Sequence, residues 1–117
     1  MSPDRPVFLN LARIRFPVGA VASIGHRVSG VLLVLALPLA VWALERSLKA
    51  DRFPMETGAF VRVPAALLAW AAAHHLFAGI RHLLTDVGIG SSLPAARASA
   101  YAALIAGGAV GLALLLL

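Results

Sequence analysis

The sequence of 117 residues contains no cysteine and few charged side chains. Without cysteine, this chain forms no disulfide, holds no metal on thiolates and binds no iron–sulfur cluster through its own side chains. Charged residues make up 13% of the sequence and hydrophobic residues 61%, whereas soluble domains carry about 25% charged residues. These proportions exclude an ordinary soluble domain and indicate an integral membrane protein.

Three long apolar segments account for most of the chain. A bilayer core about 30 Å thick needs about 20 helical residues for each crossing, and the segments at about 17–45, 63–86 and 97–117 satisfy this length. Residues 1–16 are polar and lack the apolar core of a signal peptide, so we expect an interfacial arm. The prediction is an all-α integral membrane protein: three transmembrane helices in an up-down-up bundle, forming a single membrane-anchor domain over 1–117.

The basic residues that give the net charge of +5 lie at the ends of the apolar segments. This placement favours contact with membrane lipid or an acidic partner over nucleic acid. An up-down-up path places six of them on the side of the N-terminus and four on the other side, which favours a cytoplasmic N-terminus. Ala-, Leu- and Arg-rich usage and the missing transit peptide favour a bacterial inner membrane over the mitochondrial one. The six are Arg5, Arg13, Arg15, Arg27, Arg81 and Arg97; the four are Arg46, Lys49, Arg52 and Arg62.

Residues 74–86 (HHLFAGIRHLLTD) place ionisable side chains at the end of an apolar helix. At about 100° per residue, His75, Gly79, His82 and Asp86 share one helical face. Charged groups at membrane depth cost about 2.5–3.5 kcal/mol on insertion scales and therefore indicate a functional site. Imidazole is a standard ligand of haem iron, and Gly79 leaves space for a flat macrocycle one turn beyond His75.

A single haem iron cannot take both ligands from this helix. His75 and His82 lie about 10 Å apart along the axis, at about 1.5 Å per residue. A second axial ligand therefore comes from elsewhere in the chain or from a partner, and a partner subunit is the simpler inference. His74 points about 100° away from His75 and is the alternative ligand on this helix.

A second polar cluster lies near the start of the first helix, at Ser23, His26 and Arg27. In an up-down-up bundle, the start of the first helix and the end of the second lie on the same side of the membrane. The two clusters are therefore predicted to form one region. The hydroxyl of Ser23 and the fixed cation of Arg27 suit hydrogen bonding to a quinone carbonyl.

Both clusters resemble motifs of a known family. Residues 23–30 (SIGHRVSG) resemble S-I-x-H-R-x-[ST]-G, and residues 75–86 resemble H-x-x-x-G-x-R-H-x-x-x-D, in the cytochrome b subunit of succinate dehydrogenase. Residues 5–6 and 15–17 are similar to the family's lead-in to the first helix, and the resemblance covers nearly the whole chain. Gly25 stands where the family often has a larger apolar residue.

The resemblance implies a membrane anchor of succinate:quinone oxidoreductase. Its expected partners are a second small anchor subunit, an iron–sulfur subunit and a flavoprotein. One haem b would be shared with the second anchor, with His75 as an axial ligand, and ubiquinone would be reduced nearby. The expected quinone-site residues are Ser23 and Arg27; the expected haem-pocket or propionate contacts are His26, Arg27, Gly79 and His82. Asp86 would serve a proton path or a structural role.

Other interpretations of the same residues remain open. The chain could be a haem-free anchor or assembly subunit whose histidines only bond helices together. It could also anchor a fumarate reductase, or conduct protons through His75, His82 and Asp86. Arg81 could simply extend to the membrane surface, and Asp86 could pair with His82 or with Arg97.

One further pattern concerns helix packing. The third segment contains Gly107-x-x-x-Gly111. This spacing lets another helix approach closely.

Overall fold

The computed structural model describes residues 13–49 and 59–117. Within these ranges the chain forms three helices and no strand: α1 (Val18–Lys49), α2 (Ala59–Asp86) and α3 (Leu93–Leu116). All three are long and apolar enough to cross a membrane. The predicted all-α membrane fold is therefore confirmed. The predicted arm at 1–16 lies mostly outside the described residues.

The helices differ from the prediction mainly at their ends. The sequence predicts starts near 63 and 97, whereas α2 begins at Ala59 and α3 at Leu93. A start near 63 would place Pro64 in the first turn, but Pro64 lies inside α2. This position costs one backbone hydrogen bond, because proline has no N–H. Pro94 lies in the first turn of α3, after the N-cap residue Ser92. Proline is tolerated there because the first N–H groups of a helix have no helical partner.

Small residues bring the helices together. α2 makes its most extensive contacts with α3, fewer with α1, and α1 and α3 contact each other least. Most large apolar side chains are instead exposed on the outside of the bundle, as suits a surface surrounded by lipid. Among the residues that the structure describes, the buried apolar side chains are all alanines: Ala22, Ala66, Ala71, Ala78, Ala100 and Ala103.

The glycine pair of α3 packs directly against α2. A Cβ added at Gly107 would lie 2.7 Å from the Cβ atom of His74, and one added at Gly111 would lie 2.8 Å from that of Trp70. Such distances are too short for real Cβ contacts, so only glycine permits this approach. The prediction from the spacing of these glycines is confirmed, and the approaching helix is α2.

Candidate functional site

Three imidazole rings from two helices lie together. The ring of His26 on α1 stacks on that of His75 on α2, with 4.1 Å between centroids and 13° between planes. The ring of His82 meets His26 edge to face, with 5.2 Å between centroids. The two polar clusters seen in the sequence thus meet at one site between α1 and α2. We call these three residues the histidine trio.

The orientation of His75 is set by a backbone carbonyl of α1. Its Nδ1 lies 3.1 Å from the carbonyl oxygen of His26 and 3.3 Å from Oγ of Ser29. The Ser29 hydroxyl itself donates to the same carbonyl, at 2.9 Å. A carbonyl only accepts hydrogen bonds, so these contacts assign the proton of His75 to Nδ1. Its Nε2 then carries a lone pair, and no hydrogen-bond partner for it lies among the described residues.

Glycines provide the space for two rings of the trio. A Cβ at Gly30 would lie 3.0 Å from Cε1 of His75, and a Cβ at Gly79 would lie 3.3 Å from Nε2 of His26. Gly30 therefore accommodates His75, and Gly79 accommodates His26. The role of Gly79 in accommodating a macrocycle stays a prediction; the side chain that lies over it in this structure is the imidazole of His26.

His74 occupies a different environment from its neighbour. It is the largest fully buried side chain among the described residues. Its Nδ1 lies 3.3 Å from the carbonyl oxygen of Ala103 on α3, and its Nε2 lies 3.3 Å from that of Ala22 on α1. Neither nitrogen faces a space outside the bundle. Of the two histidines that the sequence offers as a haem ligand, this geometry favours His75 over His74.

The two residues expected at a quinone site lie one turn apart on α1. Ser23 is half-buried and Arg27 is exposed. Neither forms a hydrogen bond or ion pair within the described part of the chain. Their hydroxyl and guanidinium groups are therefore not engaged in holding the described helices together.

Arg81 and Asp86 behave differently from the alternatives that the sequence leaves open. Arg81 does not simply extend to the surface: its Nε donates to Oγ of Ser99 at 3.1 Å, and its Nη2 donates to the carbonyl of Ala96 at 3.3 Å. Asp86 is exposed at the end of α2. It pairs with neither His82 nor Arg97, since the single ion pair of the described residues joins Glu45 and Lys49.

Two serines at the site had no role assigned from the sequence. Ser29 belongs to the quoted motif and lies three residues after His26, a spacing that places both on one side of α1. This spacing from His26 is the feature of the sequence that indicates a role for Ser29 at the site. Ser99 lies in α3 outside both motifs, and only the structure identifies it as the partner of Arg81.

The fold and the site define a class: a multi-pass helical membrane protein with an imidazole cluster between two spanning helices. Comparison with known families matches residues 1–115 to the succinate dehydrogenase/fumarate reductase transmembrane subunit. The chain belongs to this family. It is thus a cytochrome b-type, non-flavin membrane subunit of an oxidoreductase complex.

Curated relatives cover most of the chain. It is 39% identical over 107 residues to a protein of Coxiella burnetii, covering 86% of each chain. It is 35% identical over 114 residues to a protein of Paracoccus denitrificans, covering 92% of this chain and 85% of the relative. A protein of Rickettsia felis is 28% identical over 103 residues, covering 86% of this chain and 82% of the relative. Each is named succinate dehydrogenase cytochrome b556 subunit.

Proposed function

We propose that this chain binds haem b through Nε2 of His75 and serves electron transfer from succinate to quinone. The observation that carries the proposal is the hydrogen bond from Nδ1 of His75 to the carbonyl of His26. Histidines that bind metals in proteins almost always donate their other ring N–H to a carbonyl, carboxylate or water, which fixes the ring and its tautomer. The cytochrome b556 name of the relatives supports the choice of haem b.

The surroundings of His75 suit the rest of such a cofactor. His26 stacks on its ring, His82 lies edge to face against His26, and Arg27 follows His26 in the same turn of α1. Ring N–H groups and a guanidinium are donors that pair well with propionate carboxylates. Haem b, when bound, supplies a one-electron carrier within the membrane. The residues of this chain hold it, orient it and compensate its negative charge.

The proposed partner subunits are those that membership of this family implies. His75 would supply one imidazole to the haem, and the family resemblance implies that a second small anchor subunit would supply the other protein ligand. Succinate oxidation requires a flavin, and the sequence contains no strand-linked glycine motif for a dinucleotide. Membership of this family implies a flavoprotein and an iron–sulfur subunit as the remaining partners. The proposed location of the complex is a bacterial inner membrane, with the N-terminus of this chain in the cytoplasm.

The quinone site is assigned to Ser23 and Arg27. Quinone carbonyl oxygens accept hydrogen bonds, and both side chains offer donors that the described helices do not use. Ubiquinone is the proposed substrate. Asp86 is exposed at the end of α2, where a carboxylate can pass protons between water and this layer of the membrane.

The test is the visible difference spectrum, reduced minus oxidised, of the complex purified through a tag on this chain. A sharp b-type α band with about one haem per complex is the expected result. His75→Gly should remove this band while the partner subunits still copurify, and added imidazole should restore it. Full haem content in His75→Gly without imidazole would show that another residue is the ligand.

One observation favours a second candidate, a haem-free anchor. The contacts of His74 and of the histidine trio already join α2 to both neighbouring helices. Under this alternative, the histidines serve only to bond the helices. An intact complex with all partner subunits and no haem band would establish it.

A further inference from the structure

His74 lies at the junction of all three helices. It is carried by α2 and contacts a backbone carbonyl of α1, at Ala22, and one of α3, at Ala103, both at 3.3 Å. Its ring also stacks parallel to that of Trp70, with 5.7 Å between centroids and 7° between planes. A neutral imidazole has one N–H and can donate to only one of these carbonyls at a time. Both carbonyl oxygens nevertheless lie within hydrogen-bond distance of the ring.

Two glycines on the neighbouring helices leave the space that the side chain of His74 occupies. A Cβ at Gly25 of α1 would lie 2.6 Å from Nε2 of His74, and a Cβ at Gly107 of α3 would lie 2.7 Å from its Cβ. Neither position tolerates even an alanine without moving His74 or a helix. Gly25 and His74 therefore form a complementary pair between α1 and α2.

The two consecutive histidines of α2 contact the same helix one turn apart. His74 contacts the carbonyl of Ala22, and His75 contacts the carbonyl of His26, four residues later on α1. Together they fix both the axial position and the rotation of α1 relative to α2. The acceptor that orients His75 belongs to α1, so the ring keeps its orientation only while this register holds.

We propose that His74 is a positioning residue for His75. It holds α1 against α2 in the register that places the His26 carbonyl at Nδ1 of the ligand, and it does so through its Nε2 contact with Ala22. This role rests on the proposed haem function.

The first test compares three substitutions of His74 in the purified complex, each with a different set of contacts. His74→Leu removes both ring nitrogens. The amide of His74→Gln reaches about as far as Nε2 and can donate to Ala22, whereas that of His74→Asn reaches about as far as Nδ1 and can donate to Ala103. The measurement is the low-field g value of the oxidised haem, because this value would respond to the orientation of an imidazole ligand such as His75.

We expect the low-field g value to shift in His74→Leu and His74→Asn and to return towards the wild-type value in His74→Gln. A residue that only stabilises the fold would lower the yield of complex but leave this signal unchanged in whatever assembles. A wild-type signal in all three variants would overturn the proposal. If His74→Leu does not assemble, the comparison of His74→Gln with His74→Asn decides alone.

The second test is a double-mutant cycle between Gly25 and His74, read as the midpoint of thermal unfolding of the complex. Gly25→Ala should lower the midpoint in the wild-type background and have little effect in His74→Ala, where no ring opposes the new methyl group. Gly108→Ala is the matched control, since a Cβ there meets no atom within 4 Å. Additive effects of Gly25→Ala and His74→Ala would contradict the pairing.

The two proposals fail in different ways. If His75→Gly keeps its haem, the ligand assignment is wrong, while the coupling between Gly25 and His74 still stands or falls on the thermal midpoints. If His75→Gly loses its haem but all His74 variants give the wild-type signal, only the positioning role is wrong.

Discussion

Nδ1 of His75 lies 3.1 Å from the carbonyl oxygen of His26, and this contact joins α2 to α1 where the two polar clusters of the sequence meet. The carbonyl also accepts the hydroxyl proton of Ser29. The orientation of the proposed ligand is therefore a property of helix packing as much as of its own side-chain rotamer. Changes on α1 that never touch a cofactor should affect it.

Ser29→Ala tests how much the Ser29 hydroxyl stabilises this contact between α1 and α2. Ser29 is fully buried, and its hydroxyl bonds the His26 carbonyl beside Nδ1 of His75. Because a buried hydrogen bond contributes about 1 kcal/mol, we expect the thermal midpoint of the complex to fall while haem is retained through the remaining His75–His26 bond. Ser91→Ala is the control, since the Ser91 hydroxyl bonds only its local turn at an exposed position. Equal midpoints in the two variants would argue against the prediction.

Arg27→Ala should separate quinone reduction from succinate oxidation. Arg27 is exposed and has no partner among the described residues, so its removal should not destabilise them. Loss of a hydrogen bond from a charged donor costs about 1.5–3 kcal/mol, equivalent to about a tenfold to hundredfold fall in kcat/KM for quinone. Succinate oxidation by a soluble dye should stay near wild type.

The control for Arg27 is Arg46→Ala. Arg46 lies near the other end of α1, over the ring of Trp42 at 5.1 Å, and its loss should leave quinone reduction unchanged. A parallel fall of both activities in Arg27→Ala, with the complex intact, would remove Arg27 from the quinone site.

The three helices were predictable because a lipid environment forces a spanning backbone to satisfy its own hydrogen bonds, and long apolar runs then suffice to locate helices. The proximity of His26 to His75 also followed, since an up-down-up path places both near one surface. The different roles of His74 and His75 did not follow from the sequence. Helical periodicity gives the angle between them, but which one faces the three-helix junction depends on how α2 is rotated against α1 and α3.

The position of Pro64 is a similar case. Local rules favour proline in the first turn, yet α2 begins five residues before it. The partner of Arg81 was not predictable either, because Ser99 follows in another helix and no spacing rule connects the two. Interhelical contacts of this kind are decided by tertiary packing rather than by local sequence.

Arg81→Met should weaken the contact between α2 and α3 without removing haem. Methionine keeps the apolar stem but loses both hydrogen bonds to α3, to Ser99 and to Ala96. We expect the free energy of unfolding to fall by about 1–3 kcal/mol and the haem content of the assembled complex to stay the same. In a double-mutant cycle with Ser99→Ala, the combined loss should be smaller than the sum; strict additivity would mean that the two side chains do not interact.

Gly111→Ala should force α2 and α3 apart. A Cβ at this position would lie 2.8 Å from the Cβ atom of Trp70 and 3.2 Å from the carbonyl oxygen of Ala66. One of these neighbours is backbone, so a simple side-chain rotation cannot relieve the contact. Because overpacking costs about 1–3 kcal/mol, the thermal midpoint of the complex should fall.

Gly108→Ala provides the matched comparison for this substitution, three residues earlier on the same helix. A methyl group there meets nothing within 4 Å, and alanine is favoured over glycine in a helix by about 1 kcal/mol. Its midpoint should therefore equal or exceed that of the wild type. Similar losses in both variants would mean that the cost reflects alanine anywhere in α3 rather than the approach of α2 at Gly111.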